Sequence, residues 1–437
     1  MRHFADLHIH SKYARACSPQ LTPENIDLWC RIKGLSVVAT GDFTHPKWFS
    51  ELKEKLEPAE AGLYKLKNKY QVREARFHEK VIRPVRFMVS TEISCIYTHA
   101  GKARRVHLCV YLPSLSAAEK LITVLEKRGC NLKADGRPII GMSAQELLKI
   151  ILDIDENSVM VPAHIWTPWF AVFGSKSGYD SLEECFGNLT DKIFAVETGL
   201  SSDPAMNWRL SQLDKVALIS NSDAHSLQNL GRESNIFEGD IISYSDIWQA
   251  VKNSVVTTGH LSAQALKFAG TVEFFPHEGK YHYDGHRVCG VVMSPSESKM
   301  VKKICPKCGK ELVIGVLNRV EALADRKESF RPKKSLPFYS LVELDKIIAD
   351  AQGVKGRKNK AVEKEYWEII SQFGGEMNIL LNTPLLNLKK EASKIIFEGI
   401  KRIRDGKIEI NPGYDGEYGK IKIFSEQENR KSQSSLF

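Results

Sequence analysis

Histidines and carboxylates recur in the first half of the chain where apolar runs end. His8 and His10 follow the run FADL, and alternate residues of a strand point the same way, so both imidazoles can reach one metal site. Six of the 13 histidines occupy such positions. The candidate metal ligands are His8, His10, Asp42, His45, Glu92, His107, His164, Asp223 and His225. This recurrence predicts a metal centre.

The ligand types indicate the chemistry of that centre. Imidazoles and carboxylates without cysteine suit zinc, manganese, magnesium or iron, and such centres hydrolyse esters. The set is too large for one ion, so we expect two or three divalent metals with Glu92 as the bridge. Asp223 is suited both to bind metal and to orient the attacking water, and the sequence leaves these two roles open. Glu197, after the run FAVE, is a further catalytic candidate.

A second metal site of another kind lies later in the chain. Cys305 and Cys308 form a CPKCG knuckle, whose turn presents two thiolates to one ion. His286 and Cys289 have the same spacing upstream and complete a predicted structural zinc site. His282 remains the alternative fourth ligand.

These residues need elements that bring them together. From residue 1 to about 230, short apolar runs alternate with amphipathic stretches at 23–33, 116–128 and 144–153, which predicts an α/β fold with a parallel sheet or, better, a barrel. Helices are expected later at 319–327, 340–351, 361–373 and 388–405. The predicted organisation is a metal-dependent hydrolase barrel (1–262), a zinc-binding module (263–316), a helical, basic, DNA-contacting domain (317–406), a hairpin-like segment (407–424) and a flexible tail (425–437).

Charge and composition narrow the class of protein. The net charge is +9, and the excess lies between residues 290 and 404, which suits a polyanionic partner. No apolar run approaches the length of a membrane helix, so we expect a cytoplasmic protein with no membrane contact. Nine cysteines without regular spacing outside the zinc module indicate reduced thiols.

The motifs HIHS, GDFTH, STEIS, the single His107, PAHIW and SDAH resemble, in this order, those of the PHP (polymerase and histidinol phosphatase) superfamily. The resemblance covers about residues 1–230 and implies a distorted (β/α)7 barrel with a trinuclear metal centre. The chain departs from the pattern in two places: SKYARACS offers no obvious ligand after HIH, and Asp42 is followed by His45 three residues later. Occupancy of the third metal site and the role of Asp42 therefore stay open.

With its zinc module and helical C-terminal part, the chain resembles the endonuclease Q family. That resemblance implies a DNA repair endonuclease that cuts 5′ to hypoxanthine, uracil, xanthine or an abasic site in double- or single-stranded DNA. We expect a monomer. An enzyme of this kind must expose the damaged base, for which Trp166, Trp169 and Phe170 are stacking candidates. The candidates for phosphate contacts are Lys355, Arg357, Lys358 and Lys360.

The last five residues, QSSLF, resemble a bacterial sliding-clamp-binding motif, with Gln433, Leu436 and Phe437 as the contact residues. Two other functions remain open. A PHP phosphatase acting on a small phosphate monoester would use the barrel but leave the zinc module without a role. A non-catalytic, clamp-tethered DNA-binding protein would not need an intact set of ligands.

Overall fold

The computed structural model describes residues 1–76, 84–239, 242–255, 265–354 and 356–425. Strands and helices alternate over most of the first part of the chain, as the apolar runs predicted, except that among the described residues five strands between 56 and 111 follow one another with no α-helix between them. The elements of this part are β1 (Arg2–Asp6), α1 (Pro23–Lys33), β2 (Val37–Ala39), α2 (Pro46–Lys55), β3 (Leu56–Pro58), β4 (Leu63–Leu66), β5 (Arg86–Met88), β6 (Ser90–His99), β7 (Lys102–Tyr111), α3 (Leu115–Lys127), β8 (Ile139–Ile140), α4 (Ala144–Ile154), β9 (Val159–Pro162), α5 (Leu182–Phe186), β10 (Ala195–Glu197), α6 (Pro204–Asn207), β11 (Ala217–Ile219), β12 (Ser234–Glu238) and α7 (Tyr244–Asn253).

The remaining elements are shorter strands followed by helices. They are β13 (Lys267–Glu273), β14 (Asp284–His286), β15 (Val291–Met293), α8 (Pro295–Met300), α9 (Val316–Leu323), β16 (Phe338–Ser340), α10 (Leu344–Ala351), α11 (Lys360–Phe373), a π-helix (Asn378–Asn382), α12 (Leu385–Glu391), α13 (Lys394–Arg404), β17 (Glu409–Asn411) and β18 (Lys420–Lys422). Within the described ranges, no helix combines the length and apolarity needed to span a membrane.

Local signals explain where the helices begin and end. Ser143 caps α4 by accepting a hydrogen bond from the Glu146 N–H, and Leu147 and Ile151 are buried one turn apart. Thr22 caps α1, which ends at Gly34 in the left-handed conformation. The helices predicted at 23–33, 116–128 and 144–153 are confirmed to within a residue at each end.

The strands form a mixed α/β architecture with several sheets. The largest has the order β16-β13-β12-β1-β2-β5-β4-β3, in which β1, β2 and β5 are parallel. A second sheet has the order β8-β6-β7-β9, and β10 and β11 form a parallel pair. The apolar core lies between these sheets and the surrounding helices.

Single backbone hydrogen bonds join the sheets near the strand ends. The Asp223 N–H donates to the His8 carbonyl at 2.9 Å, and the Ile165 N–H donates to the Glu197 carbonyl at 3.1 Å. The strand ladders of the described residues do not close into one continuous barrel. The seven-stranded barrel therefore stays a prediction, whereas the mixed α/β class is observed.

A buried ion pair fixes the helical C-terminal part to α1. Lys33 is 1% exposed, and its Nζ lies 2.7 Å from Glu376 Oε2. The same carboxylate accepts hydrogen bonds from the Tyr366 hydroxyl at 2.7 Å and from the Leu344 N–H at 3.1 Å. A buried charge is tolerated when it is paired and hydrogen-bonded, as here.

The pair β17–β18 is antiparallel and packs on the short strands of the cysteine-rich region. The Gly413 N–H donates to the His277 carbonyl at 2.8 Å, and the Tyr283 N–H donates to the Gly413 carbonyl at 3.0 Å. The Arg287 N–H adds a hydrogen bond to Asp415 Oδ2 at 2.6 Å. This segment thus covers one side of the cysteine-rich region.

Candidate metal centre

The candidate ligands come from five strands and the residues that follow them. His8 and His10 follow β1, His164 follows β9 and Asp223 follows β11. Glu92 and His107 lie within the paired strands β6 and β7. These positions meet on one side of the sheets, where α/β folds usually place their active sites.

One group of ligands comprises His8, His10, Glu92 and Asp223, whose ligand atoms all lie within 4.8 Å of one another. His10 Nε2 is 3.2 Å from Glu92 Oε2 and 3.1 Å from Asp223 Oδ1. His8 Nε2 is 3.6 Å from the same Glu92 oxygen. All of these atoms therefore converge on one point.

A second group shares Glu92 with the first. Glu92 Oε1 lies 2.7 Å from His107 Nδ1 and 3.1 Å from His164 Nε2. Each oxygen of one carboxylate thus faces a different set of imidazoles. This is the arrangement expected of a carboxylate that bridges two metal ions.

The hydrogen bonding in the first group fits a divalent metal. His8 Nε2, His10 Nε2 and Asp223 Oδ1 are buried and make no hydrogen bond, although they lie close to one another. An unsatisfied buried polar atom costs about 1–3 kcal/mol, so three together are unfavourable unless a cation binds between them. The donor set, imidazole and carboxylate, is one that zinc, manganese or iron accepts.

Two further carboxylates orient the histidines from behind. Glu197 Oε2 lies 3.0 Å from His8 Nδ1, and Asp42 Oδ1 lies 2.9 Å from His10 Nδ1. A carboxylate on the far nitrogen holds the ring and its tautomer so that Nε2 faces the metal. The role of Asp42 that the sequence left open is therefore, in this geometry, to position His10. Glu197, a catalytic candidate from sequence, has the same relation to His8.

Glu197 is also part of a third cluster with His8 and Cys109. Burial raises the pKa of the Cys109 thiol to about 12. Glu197 is already engaged by Asn221 Nδ2 at 2.8 Å and by the His164 N–H at 3.0 Å. Glu197 therefore belongs to a hydrogen-bonding layer on the far side of the His8 ring from the first group.

The backbone at the site is strained. Asp42, His164 and Asp223 have φ values of +46°, +29° and +47°, in a region that residues other than glycine seldom occupy. Gly199 allows this geometry, because a Cβ there would lie 2.4 Å from His164 Cβ. Strain of this kind persists only where the surrounding structure imposes it, and it is typical of functional sites.

Besides Asp42, two predicted ligands lie outside these groups. The His45 ring stacks on Tyr13, with 4.5 Å between ring centroids, because its residue precedes α2 and the chain turns away from the cluster. The His225 ring lies 4.8 Å from that of His10, and its Nδ1 interacts with the Asp223 carbonyl at 2.8 Å. Neither belongs to a ligand group among the described residues.

The cysteine knuckle brings together the four residues expected to bind zinc. The ligand atoms of His286, Cys289, Cys305 and Cys308 lie within 4.8 Å of one another, and Cys308 Sγ is 3.5 Å from His286 Nδ1. His282, the alternative ligand, packs instead against His277, with 4.5 Å between centroids. The geometry thus favours His286 as the fourth ligand.

The three aromatic candidates differ in exposure. Trp166 is buried and donates from Nε1 to Asn207 Oδ1 at 2.8 Å, so it is a core residue and not the predicted stacking surface. Phe170 lies against His107 at 4.6 Å between ring centroids. Trp169 is 43% exposed and meets Tyr281 edge to face. Trp169 and Phe170 are thus the two candidates that are not buried.

The basic residues predicted to contact phosphates differ in their surroundings. Arg357 donates to Asp345 Oδ2 at 2.8 Å, to Asn229 Oδ1 at 3.0 Å and to the Gln228 carbonyl at 3.2 Å. This arrangement gives Arg357 a structural role in place of the predicted phosphate contact. Lys358 and Lys360 are exposed. Lys355 and the tail residues Gln433, Leu436 and Phe437 lie outside the described residues.

One residue at the centre was missed from sequence. Arg137 Nη1 lies 3.1 Å from Glu92 Oε2. Its segment, ADGRP, shows only a turn signal, so nothing in the sequence pointed to the metal ligands.

Comparisons with known proteins fit this geometry. Residues 343–407 match the family described as the MJ0043 C-terminal domain. The protein MJ0043 of Methanocaldococcus jannaschii is 34% identical over 62% of this chain, and this chain spans about a third, 34%, of its length. The protein YqxK of Bacillus subtilis is 27% identical over 96% of this chain and 99% of its own.

Solved structures extend the similarity over nearly all of the chain. The lesion-specific endonuclease PfuEndoQ of Pyrococcus furiosus superposes with a TM-score of 0.82 at 28% identity, with full coverage of both chains. An endonuclease Q solved with a 27-mer duplex substrate, with an abasic lesion at the active site, superposes with a TM-score of 0.80 at 30% identity, covering 98% of each chain. The chain therefore belongs to the endonuclease Q family.

Proposed function

We propose that the protein is a metal-dependent endonuclease of DNA repair, which hydrolyses a phosphodiester beside a damaged nucleotide. The observation that carries the proposal is Glu92, whose two oxygens face two separate groups of ligands. A two-metal arrangement suits phosphodiester hydrolysis, since it can stabilise both the attacking and the leaving oxygen. The similar endonuclease Q that holds duplex DNA with an abasic lesion supports DNA as the substrate.

The residues would divide the work as follows. His8, His10, Glu92 and Asp223 would hold one divalent ion, and Glu92, His107 and His164 a second. Bound ions of this type polarise the phosphate and lower the pKa of water. Zinc, manganese, magnesium and iron all suit these ligands, and whether a third ion joins them is part of the test below.

The side chains of this chain then set the geometry. Glu197 and Asp42 hold the rings of His8 and His10 in place. The Asp223 side chain is 24% exposed, whereas the Glu92 side chain is 0% exposed. Asp223 is therefore the carboxylate that can reach a water molecule next to the substrate and orient it for attack.

The finer substrate is proposed from the family resemblance and from the aromatic residues beside the metal ligands. Deaminated bases (hypoxanthine, uracil and xanthine) and abasic sites are the proposed lesions, with cleavage on the 5′ side. A displaced base needs a stacking surface: Phe170 lies against His107, and Trp169 and Phe170 follow His164 by five and six residues. Exposed Lys358 and Lys360 are proposed to contact phosphates.

The remaining parts of the proposal concern organisation. We assign one structural zinc to His286, Cys289, Cys305 and Cys308, because their ligand atoms already lie together. The boundaries at 262, 316, 406 and 424, the distorted seven-stranded barrel and a tail that binds a sliding clamp belong to the same proposal.

The test uses end-labelled duplexes that contain one abasic site, one deoxyinosine, one deoxyuridine or no lesion. We expect a single cut on the 5′ side of the lesion with added manganese, magnesium or zinc, and none in the undamaged duplex. Chelator and the Glu92→Gln substitution should each abolish the cut. The matched control is Glu146→Gln, which changes an exposed carboxylate of α4 and should cut like the unaltered protein.

Two results would contradict the proposal. Intact DNA of every kind, with rapid hydrolysis of a small phosphate monoester, would favour a phosphatase. Lesion binding without cleavage under any metal would favour a non-catalytic DNA-binding protein.

A further inference from the structure

The turn that carries Arg137 is tied to the loops of the first and second strands. The Gly136 N–H donates to the Tyr13 carbonyl at 3.0 Å, and the Arg15 N–H donates to Asp135 Oδ1 at 3.2 Å. Asp135 Oδ1 also accepts from the Arg137 N–H at 3.0 Å. The start of the Arg137 side chain is thereby held at a defined place beside the metal ligands.

Gly136 lets this turn approach Asp42 more closely than a residue with a side chain could. A Cβ at Gly136 would lie 2.5 Å from Asp42 Oδ2, the carboxylate that also positions His10. Any side chain would push either the turn or Asp42 away. The position of Arg137 therefore depends on that of Asp42, the carboxylate that positions His10.

The Arg137 guanidinium contacts the Glu92 carboxylate, which engages only part of its hydrogen-bonding capacity. Arg137 Nη1 lies 3.1 Å from Glu92 Oε2, and the Arg137 side chain remains 25% exposed. A guanidinium is protonated at any physiological pH, so the group is charged. Its remaining N–H groups have no hydrogen-bond partner among the residues that the structure describes.

Arg137 contacts Glu92 Oε2, the same oxygen that faces His8 and His10, and so lies beside the first ligand group. The PHP resemblance implies three metals, yet within the described ranges the residues around Glu92 form two groups that could hold an ion between imidazoles and carboxylates on its two oxygens. His45 stacks on Tyr13 and Asp42 is engaged by His10 and by the Ser11 N–H. Arg137 thus adds a permanent positive charge beside the first ligand group.

We propose that the Arg137 guanidinium, and not a third metal ion, supplies the further positive charge beside Glu92 Oε2 and binds a non-bridging oxygen of the scissile phosphate. The inference rests on the proposed nuclease function. A guanidinium is planar and always charged, and it can give two parallel hydrogen bonds to a phosphate while one N–H stays on Glu92. Arg137 is then a catalytic residue of the reaction.

The first measurement counts metals and does not depend on activity. The purified full-length chain is equilibrated with manganese, freed of excess ion and analysed by plasma mass spectrometry. We expect two manganese ions per chain besides the zinc of the cysteine module. A count of three manganese ions would overturn the proposal.

The second measurement compares Arg137→Ala and Arg137→Lys on an abasic duplex, with Arg128→Ala, which changes an exposed arginine after α3, as the matched control. We expect kcat to fall about 100-fold for Arg137→Ala, as for the loss of one donor to a transition-state oxyanion, and less for Arg137→Lys. Added guanidinium ion should restore part of the activity of Arg137→Ala and leave the control unchanged.

The controls separate the possible failures. The melting temperature and manganese count of Arg137→Ala should equal those of the unaltered chain; a lost metal would show that Arg137 only holds Glu92 in place. Unchanged kcat in Arg137→Ala would also overturn the proposal. If the unaltered chain cuts no duplex, the proposed function fails instead, and the metal count still tests the charge assignment.

Discussion

The ligand groups around Glu92 lie within strands and just after them, over a large core, whereas the four candidate zinc ligands lie on short strands and turns over a small one. The core of the cysteine-rich region has three buried side chains, Val291, Leu312 and the candidate ligand Cys305 itself, while the core beside Glu92 spans both large sheets. Behind His8 and His10, the carboxylates of Glu197 and Asp42 fix the rings. Around Glu92, the packing of the protein positions the ligands before a metal binds. In the cysteine-rich region the core is small, so metal binding itself must hold the ligands together.

The two kinds of ligand match these two tasks. Imidazoles and carboxylates around Glu92 converge without filling every position, which suits a site that must admit substrate. Three thiolates and one imidazole make a closed tetrahedral set, which is typical of structural zinc. The comparison predicts different responses of the two regions to the loss of metal.

Chelation should show the largest difference. Zinc binding contributes about 10 kcal/mol or more in isolated zinc-finger peptides, which three buried side chains cannot replace. Removing metal should therefore abolish amide protection in residues 282–314 and leave that of β6 and β7 nearly unchanged. Hydrogen exchange with mass spectrometry measures both, and Cys305→Ser should reproduce the pattern without chelator. Equal loss of protection in both regions would contradict the comparison.

Glu92→Gln should affect the metal ligands around Glu92 and leave the cysteine module unchanged. Losing the bridge should lower kcat by about 1,000-fold, or about 4 kcal/mol, because the side chain keeps its size but can no longer neutralise two cations. The module should keep its single zinc, so metal analysis should fall to one ion per chain. Retention of two further ions would show that Glu92 is not the bridge.

The sequence predicted the ligands better than their supports. His8, His10, Glu92, His107, His164 and Asp223 were found because strand ends place polar residues at one edge of a sheet. The role of Asp42 depends on the direction of its carboxylate, which spacing does not encode. Arg137 belongs to an unremarkable turn, and only the tertiary fold brings it to Glu92.

Tertiary contacts also explain two differences in the surroundings. Trp166 follows a ligand as an exposed stacking residue would, but its indole finds Asn207 inside the core. The helix predicted at 388–405 is divided into α12 and α13, because Ser393 is extended and its hydroxyl binds Glu365 of α11. The pattern of apolar residues continues through this break, so periodicity could not show it.

Asp42→Asn tests whether the carboxylate that contacts His10 Nδ1 positions this histidine for the metal. An asparagine can accept from either His10 Nδ1 or the Ser11 N–H, but it must face the other with its own donor. We expect metal affinity to fall about 10- to 100-fold, the usual effect of losing such a partner. Manganese titration of cleavage measures this, with exposed Asp153→Asn of α4 as control. Complete loss of one ion at saturating metal would show that Asp42 is itself a ligand.

The smallest effect should come from Trp169, which lies where the two regions meet. Its ring is 43% exposed and touches Tyr281, at the edge of the cysteine module, so it can stack on a displaced base without supporting either metal site. Stacking on an aromatic ring is worth about 1–3 kcal/mol per base, and we expect the lower end, about fivefold in Kd, because the substrate offers one displaced base. Fluorescence anisotropy with a labelled deoxyuridine duplex in the Glu92→Gln background, which keeps the zinc of the cysteine module, measures Kd with cleavage suppressed. Trp166→Phe is the matched control: it removes the buried bond to Asn207 and should lower the melting temperature while leaving Kd unchanged. The reverse pattern, with Kd raised by Trp166→Phe and unaffected by Trp169→Ala, would move the base-binding surface to the other side of the loop.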